Sequence, residues 1–233
     1  MCGFVGFINP KSKDIAENII KNMLHQIKHR GPDENSFYIE KNIALGHQRL
    51  SIIDLEGGNQ PRRDEEAYLV YNGEVYGYKE QAELLRSKGI KLKDNSDTEV
   101  LFQLLKLYGV HKTLTLIDGM FSFAFYEIKT NSLWLVRDPM GEKPLYYSIN
   151  DKDIVFGSEL SSLIPALNRI PIKINENSLL SYLHLDYIPK DQTILANINK
   201  VLPGQIVKFQ NNSLNKFIYT KSDLNKKKTY ESK

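Results

Sequence analysis

Between Phe121 and Gly157 the chain passes through four apolar, strand-like stretches with no helix among them: Phe121–Ile128, Ser132–Arg137, Leu145–Ile149 and Ile154–Gly157. A parallel pair of strands needs a crossover of a dozen or more residues, and none of these connections is that long. The strands must therefore meet mostly antiparallel. Further strands are expected at Cys2–Ile8, Ser36–Glu40, Ile43–Ile53, Ala67–Tyr71 and Gln205–Gln210. Helical spacing appears at Ile15, Ile19, Ile20, Met23, Leu24 and Ile27, which predicts a helix over Asp14–Ile27. Lys79–Lys88 predicts a second helix, stopped by Gly89. Ser96-Asp97-Thr98-Glu99 has the pattern of a capping box before a third helix over Val100–Tyr108. Glu176–Leu185 predicts a fourth. Asn72-Gly73 marks a turn that ends the strand before it. The result is one α/β domain of many short strands, expected over 2–212. From about Leu214 the composition shifts to Lys, Ser and Asn, so 213–233 is expected to be a linker or the start of a further domain.

Composition removes several classes of function. The net charge is +3 and the lysines are scattered, so no dense basic stripe offers a nucleic-acid surface. Lys226-Lys227-Lys228 reads as a solvated end. No apolar run approaches the roughly 20 residues of a membrane span. Phe4-Val5-Gly6-Phe7-Ile8, followed by Asn9-Pro10, is too short for a signal peptide. A single cysteine forbids an internal disulfide, fits a reducing cytoplasm and leaves its thiol free for chemistry. Five histidines and one cysteine show no ligand cluster at zinc-like spacing, so no metal site is expected.

The thiol is that of Cys2. Removal of Met1 would place a thiol and a free α-amine on one residue. The amine, with an ordinary pKa of about 7.7–8.0, can serve as a base near neutrality. The alternative is that a lone cysteine near a terminus is a small buried hydrophobe. In Tyr71-Asn72-Gly73-Glu74 the Asn72 amide and the Gly73 N–H could form an oxyanion hole, or the pair could simply turn the chain. Arg49 could grip a carboxylate through two parallel hydrogen bonds, or pair on the surface. Asp97 could recognise an ammonium group, or act as a carboxylate at a helix start. An arginine for a carboxylate and an acid for an ammonium is the requirement of an α-amino acid.

Six blocks occur in a telling order: Met-Cys-Gly-Phe-Val-Gly, His-Arg-Gly-Pro-Asp, Gly-His-Gln-Arg-Leu-Ser-Ile-Ile-Asp, Tyr-Asn-Gly-Glu-Val-Tyr, Ser-Asp-Thr-Glu-Val, and Arg137-Asp138-Pro139-Met140-Gly141-Glu142-Lys143-Pro144-Leu145-Tyr146-Tyr147. Together they resemble the class II glutaminase domain of glutamine-dependent asparagine synthetases, from Cys2 to about Phe209. The resemblance implies an α+β fold, a four-layer αββα sandwich of the N-terminal-nucleophile hydrolase type. It also implies hydrolysis of L-glutamine to glutamate and ammonia for asparagine synthesis. In that scheme Cys2, Asn72 and Gly73 are catalytic. Arg49, Leu50, Ser51, Ile52, Ile53, Glu74 and Asp97 bind substrate along with Asn72 and Gly73. Arg30 orders the site or makes a turn-stabilising salt bridge.

The family pairs this domain with a synthetase domain that uses ATP and magnesium, and no Ser-Gly-Gly-x-Asp-Ser loop occurs here. No cofactor is therefore expected on this chain, and the expected partner is a synthetase domain or subunit, with a homodimer as a further possibility. The competing expectation is a non-catalytic module that keeps the fold and docks on a separate synthetase subunit. Gly77 departs from the larger polar residue usual in the family and is expected to loosen its turn.

Overall fold

The computed structural model describes residues 2–10, 12–50, 57–150, 153–167 and 172–219. In chain order the strands are β1 (Gly3–Ile8), β2 (Glu34–Glu40), β3 (Ile43–Arg49), β4 (Arg62–Arg63), β5 (Ala67–Tyr76), β6 (Asp118–Glu127), β7 (Ser132–Arg137), β8 (Tyr146–Asn150), β9 (Asp153–Gly157), β10 (Asn199–Lys200), β11 (Gln205–Gln210) and β12 (Ser213–Ile218). The helices are α1 (Lys13–Gln26), α2 (Tyr78–Ser87), α3 (Asp97–Thr113), α4 (Leu160–Leu163) and α5 (Glu176–Leu185). One sheet runs β10-β8-β9-β1-β3-β2 and the other β12-β11-β7-β6-β5-β4. Every strand pairing in both is antiparallel, and in the hairpins β2–β3, β4–β5, β6–β7, β8–β9 and β11–β12 the short connections require it.

The two-residue period of each strand builds the layers. In β1, Phe4 and Ile8 enter a core shared with Tyr68 and Val70 of β5 and Leu133 and Leu135 of β7, which lies between the two sheets. The alternate residues Val5 and Phe7 face Ile20, Met23, Leu24 and Ile27 of α1 and its end. In β5 and β6 the residues of opposite parity, Leu69, Tyr71, Phe123 and Phe125, pack on Leu101, Phe102 and Leu105 of α3. Helix α2 covers α3 through Ala82 and Leu85 against Val100 and Leu104. The order helix, sheet, sheet, helix is a four-layer αββα sandwich. Central strands buried on both faces explain why their sequences are apolar throughout rather than alternating. Each fully buried Leu or Phe contributes about 1.5–3 kcal/mol.

Several expectations are corrected. β5 does not end at Asn72-Gly73 but continues to Tyr76, with Asn72 opposite Ser122 and Gly73 opposite Phe121. The glycine is there for a close approach: a Cβ at Gly73, whose φ is +156°, would lie 2.2 Å from the Met120 carbonyl oxygen. Half of the capping box forms. The Ser96 hydroxyl accepts from the Glu99 N–H at 3.1 Å, but the Glu99 carboxylate accepts from Arg62 Nε at 2.7 Å instead of reaching back. Helix α3 runs on past Tyr108 to Thr113, with a break at Gly109. The domain does not stop at 212, since Ser213–Ile218 pairs along the whole of β11. It is an edge strand, paired through its backbone on one side only, with Lys216 as a charged residue on that edge. Gly77 takes a left-handed conformation, φ +62° and ψ 16°, at the start of α2. Glycine meets no steric penalty there, so it suits the turn rather than loosening it.

Candidate active site

Cys2 lies immediately before β1, at the mouth between the sheets. Its thiol is held against the backbone of Leu50, donating to the Leu50 carbonyl at 3.5 Å and accepting from the Leu50 N–H at 3.4 Å. Arg30 Nε donates to the Cys2 carbonyl at 2.9 Å. Arg30 Nη1 also pairs with Glu159 at 3.0 Å, and His29 Nε2 meets the same carboxylate oxygen at 2.8 Å. The salt bridge expected of Arg30 is present, and the same side chain also reaches the backbone of Cys2. The Glu159 carboxyl is held below the ordinary range; burial pushes it up, and Arg30 and His29 more than offset that.

A cavity of about 150 Å³ opens beside the thiol, lined by Cys2, Arg49, Leu50, Asn72, Gly73, Glu74 and Asp97 among others. Of the residues singled out from sequence, these seven come together. Ser51, Ile52 and Ile53 lie outside the described residues.

The cavity exists because β4 pairs with β5 only at Leu69 and Tyr68, which leaves the edge of β5 open beyond that point. Backbone groups on an open, buried edge need other partners. The Tyr71 N–H finds Gln60 Oε1 at 2.6 Å and the Val75 N–H finds Asp97 Oδ2 at 3.1 Å. By the same alternation the Gly73 N–H, between them, lies on that open edge and faces the cavity. Asn72 has the opposite parity, shared with Val70, and so faces the other sheet and Cys2. It is buried, and its Nδ2 has no hydrogen-bond partner. An unpaired buried donor costs about 1–3 kcal/mol, a cost typical of a site that waits for a ligand.

Arg49 is buried and engaged by the protein itself. Nη1 donates to Asn59 Oδ1 at 2.9 Å and pairs with Glu34 at 3.2 Å, and Nη2 donates to the Gly57 carbonyl. Asp97 is likewise bound, accepting from the Tyr71 hydroxyl at 2.7 Å as well as from Val75. Burial raises the Asp97 carboxyl above its ordinary pKa against the pull of those hydrogen bonds, with Glu74 adding to the rise. A carboxylate kept costly to ionise gains most from an incoming cation.

Sequence reasoning treated His47, Gln60, Tyr71 and Lys143 only as letters within blocks or loops, yet all four line the cavity. Their presence in those blocks was the available signal. His47 Nε2 lies 3.2 Å from the Tyr71 carbonyl and Nδ1 is unpaired. Burial pushes the ring down from 6.5 to about 4, the bond to Tyr71 opposes this, and Arg49 adds to it. The unfolded ring takes up its proton near 6.5 and the folded ring only near 4, so between those values the unfolded state holds more protons. Stability is then fully present above about pH 6.5 and falls by about 1.4 kcal/mol per pH unit toward 4, roughly 3 kcal/mol in all. Urea unfolding at half-unit steps across that window, compared with His47→Gln, should show the slope reduced by that amount in the variant. Equal slopes would remove His47 as the cause.

Arg137-Asp138-Pro139 is structural. The buried Asp138 carboxylate accepts from the N–H groups of Met140, Glu142 and Lys143, each at 3.0 Å, and so shapes the loop that brings Lys143 to the cavity. Among the described residues no group of three His, Cys, Asp or Glu is placed to hold a metal, and no helix is long and apolar enough to cross a membrane.

Comparison with known proteins agrees with this geometry. The family model described as "Glutamine amidotransferase domain" matches residues 1–220. Asparagine synthetase [glutamine-hydrolyzing] 1 of Bacillus subtilis (strain 168) is 38% identical over 209 residues, covering 88% of this chain and 33% of that protein. Putative asparagine synthetase [glutamine-hydrolyzing] 2 of Methanocaldococcus jannaschii is 33% identical over 224 residues, 86% of this chain and 42% of its own length. The chain thus spans about a third to two fifths of these relatives. Among solved structures, the glutamine phosphoribosylpyrophosphate amidotransferase of B. subtilis complexed with ADP and GMP superposes with a TM-score of 0.66 at 17% identity, covering 94% of this chain and 49% of that one. At that identity the likeness concerns the fold.

Proposed function

The chain belongs to the glutamine amidotransferase domain family, and from that premise we propose that it hydrolyses L-glutamine to L-glutamate and ammonia with Cys2 as nucleophile. The observation that carries the reading is the unpaired, buried Asn72 Nδ2 in one cavity with the Cys2 thiol and the open β5 edge at Gly73.

The steps follow from those positions. With Met1 removed, the α-amine of Cys2 takes the thiol proton as sulfur attacks the side-chain amide carbon. The carbonyl π electrons move to oxygen, and the Asn72 amide and Gly73 N–H donate to the oxyanion. As the oxyanion collapses, the C–N bond breaks and the amine passes its proton to the leaving nitrogen, which departs as ammonia. Water then attacks the thioester, the C–S bond breaks, and glutamate and the thiol are restored. Arg49 holds the substrate carboxylate, exchanging its bond to the partly exposed Glu34 for the ligand. Asp97 and Glu74 hold the ammonium. Arg30 keeps Cys2 in register through its carbonyl.

The named activity of the relatives suggests the destination of the ammonia: asparagine synthesis on a synthetase part, where ATP and magnesium would be used. That part does not enter the hydrolysis. Incubation of the purified chain with glutamine, scored for glutamate and ammonia beside intact-mass analysis of the N-terminus, tests the proposal. Stoichiometric release of both products from protein that has lost Met1 is expected. Protein lacking Met1 that releases neither would overturn it in favour of a non-catalytic docking module.

A further inference from the structure

Helix α5 carries apolar side chains that no described residue covers. Leu180, Leu183 and Tyr187 are 56%, 68% and 58% exposed, and Tyr182 and Leu185 are half exposed. Ser178 is its only buried residue. From Asn177 to Leu185 the sequence contains no Asp, Glu, Lys or Arg, so this is not a solvated charged helix. A ten-residue helix is marginal in water unless an apolar face is packed, and an exposed helix is normally polar. Apolar surface of this kind marks an interaction site.

The helix is nonetheless held firmly at its ends. The Asn175 side chain caps it by accepting from the Ser178 N–H at 3.1 Å. Backbone bonds from Asn175 to Ile194 and from Ala196 to Lys173, each 2.9 Å, pin its entry, and left-handed Asp186 closes its exit. The fold therefore presents α5 rather than letting it trail.

Its location points to the occupant. Lys200 of β10 donates through Nζ to the Ile188 carbonyl at 2.6 Å, and Asp191 pairs with Lys216 of β12 at 3.0 Å. The segment after α5 thus joins the outer strands of both sheets at one side of the sandwich. On the face of β12 that carries Lys216 the strand adds exposed Ile218, while Phe217 turns the other way against His111 of α3, and the described chain leaves β12 at Tyr219. The patch and the departing chain share a side. In the B. subtilis relative two thirds of the polypeptide lies outside the matched part.

We propose that α5, with Tyr187 after it and Ile218 of β12, is the surface on which the synthetase portion of such proteins seats. The inference rests on the functional reading above. The face dictates the partner's chemistry: an apolar groove with few charges that takes a helix bearing Leu and Tyr anchors.

The test mixes the 233-residue chain with the part of B. subtilis asparagine synthetase 1 outside the matched segment, produced as a separate polypeptide, and measures association by sedimentation. Complex formation is expected, weakened by roughly 30-fold or more in Leu180→Glu/Leu183→Glu. Tyr187→Asp, outside the helix, should weaken it in the same direction and guards against helix loss in the double variant. No complex with the unsubstituted chain, or equal affinity in both variants, would overturn the proposal. So would a self-association of the chain alone that these substitutions dissolve, which would assign the face to a second copy. Glutamine hydrolysis by the variants alone should match the unsubstituted chain, since none of these side chains lines the cavity. Absent hydrolysis with an intact complex would instead sink the functional reading and leave the docking surface standing.

Discussion

Cys2→Ala is expected to reduce glutamine hydrolysis below detection while leaving the protein folded. Removing a nucleophile that acts as a unit with its base costs on the order of 10⁶ in kcat in a well-studied hydrolase, and the remaining machinery here has nothing to attack the amide with. The structural cost should be small. The thiol is partly exposed, and its two contacts with the Leu50 backbone, at 3.4 and 3.5 Å, are weak sulfur hydrogen bonds. A change in urea midpoint equivalent to less than about 1 kcal/mol is expected. Thiol alkylation in the parent should remove activity in proportion to the Cys2 modified, because the chain has no other cysteine. Hydrolysis by Cys2→Ala at even a hundredth of the parent rate would exclude the role given to that sulfur.

The strands and helices were legible because the signals that build them are local, whereas their stacking in four layers came from the family resemblance alone. Short connectors force antiparallel pairing, and apolar spacing set α1 to within a residue and α5 at Glu176–Leu185. Features decided by distant neighbours were not. Asn72-Gly73 has the composition of a tight turn, but the demand for glycine comes from the Met120 carbonyl on the adjoining strand. Glu99 has the spacing of a capping box, but Arg62, 37 positions away, claims its carboxylate. β12 was missed although its signal was present: Asn211 and Asn212 both take positive φ, 50° and 58°, the requirement of a two-residue hairpin turn that asparagine tolerates.

The same division holds at the site. Cys2, Arg49, Asn72 and Asp97 could be named from the blocks they occupy. The chain alone could not reveal that β4 is short enough to leave the β5 edge open, or that Gln60 and Asp97 occupy that edge on either side of Gly73. Nor could it reveal that Arg49 already holds Glu34 and Asn59. Those facts turn a set of residue types into a preformed cradle.

That cradle makes the second large prediction a test of two quantities that should move apart. Asn72→Ala should lower kcat by about 10²–10³-fold, the loss seen when one oxyanion donor is removed, with the KM for glutamine little changed. A donor that serves only the transition state leaves ground-state binding alone. Stability should not fall in step. The Asn72 Nδ2 is buried without a partner, so its deletion relieves a penalty of about 1–3 kcal/mol that offsets the small cavity left behind. Asn72→Asp, which keeps the shape but sets a carboxylate where negative charge must develop, should be at least as slow as the alanine variant. Steady-state kinetics on both variants, read beside their urea midpoints, decides the matter. If Asn72→Ala keeps its kcat, or loses activity only as far as it loses stability, the residue is a piece of β5 and the oxyanion must be held elsewhere.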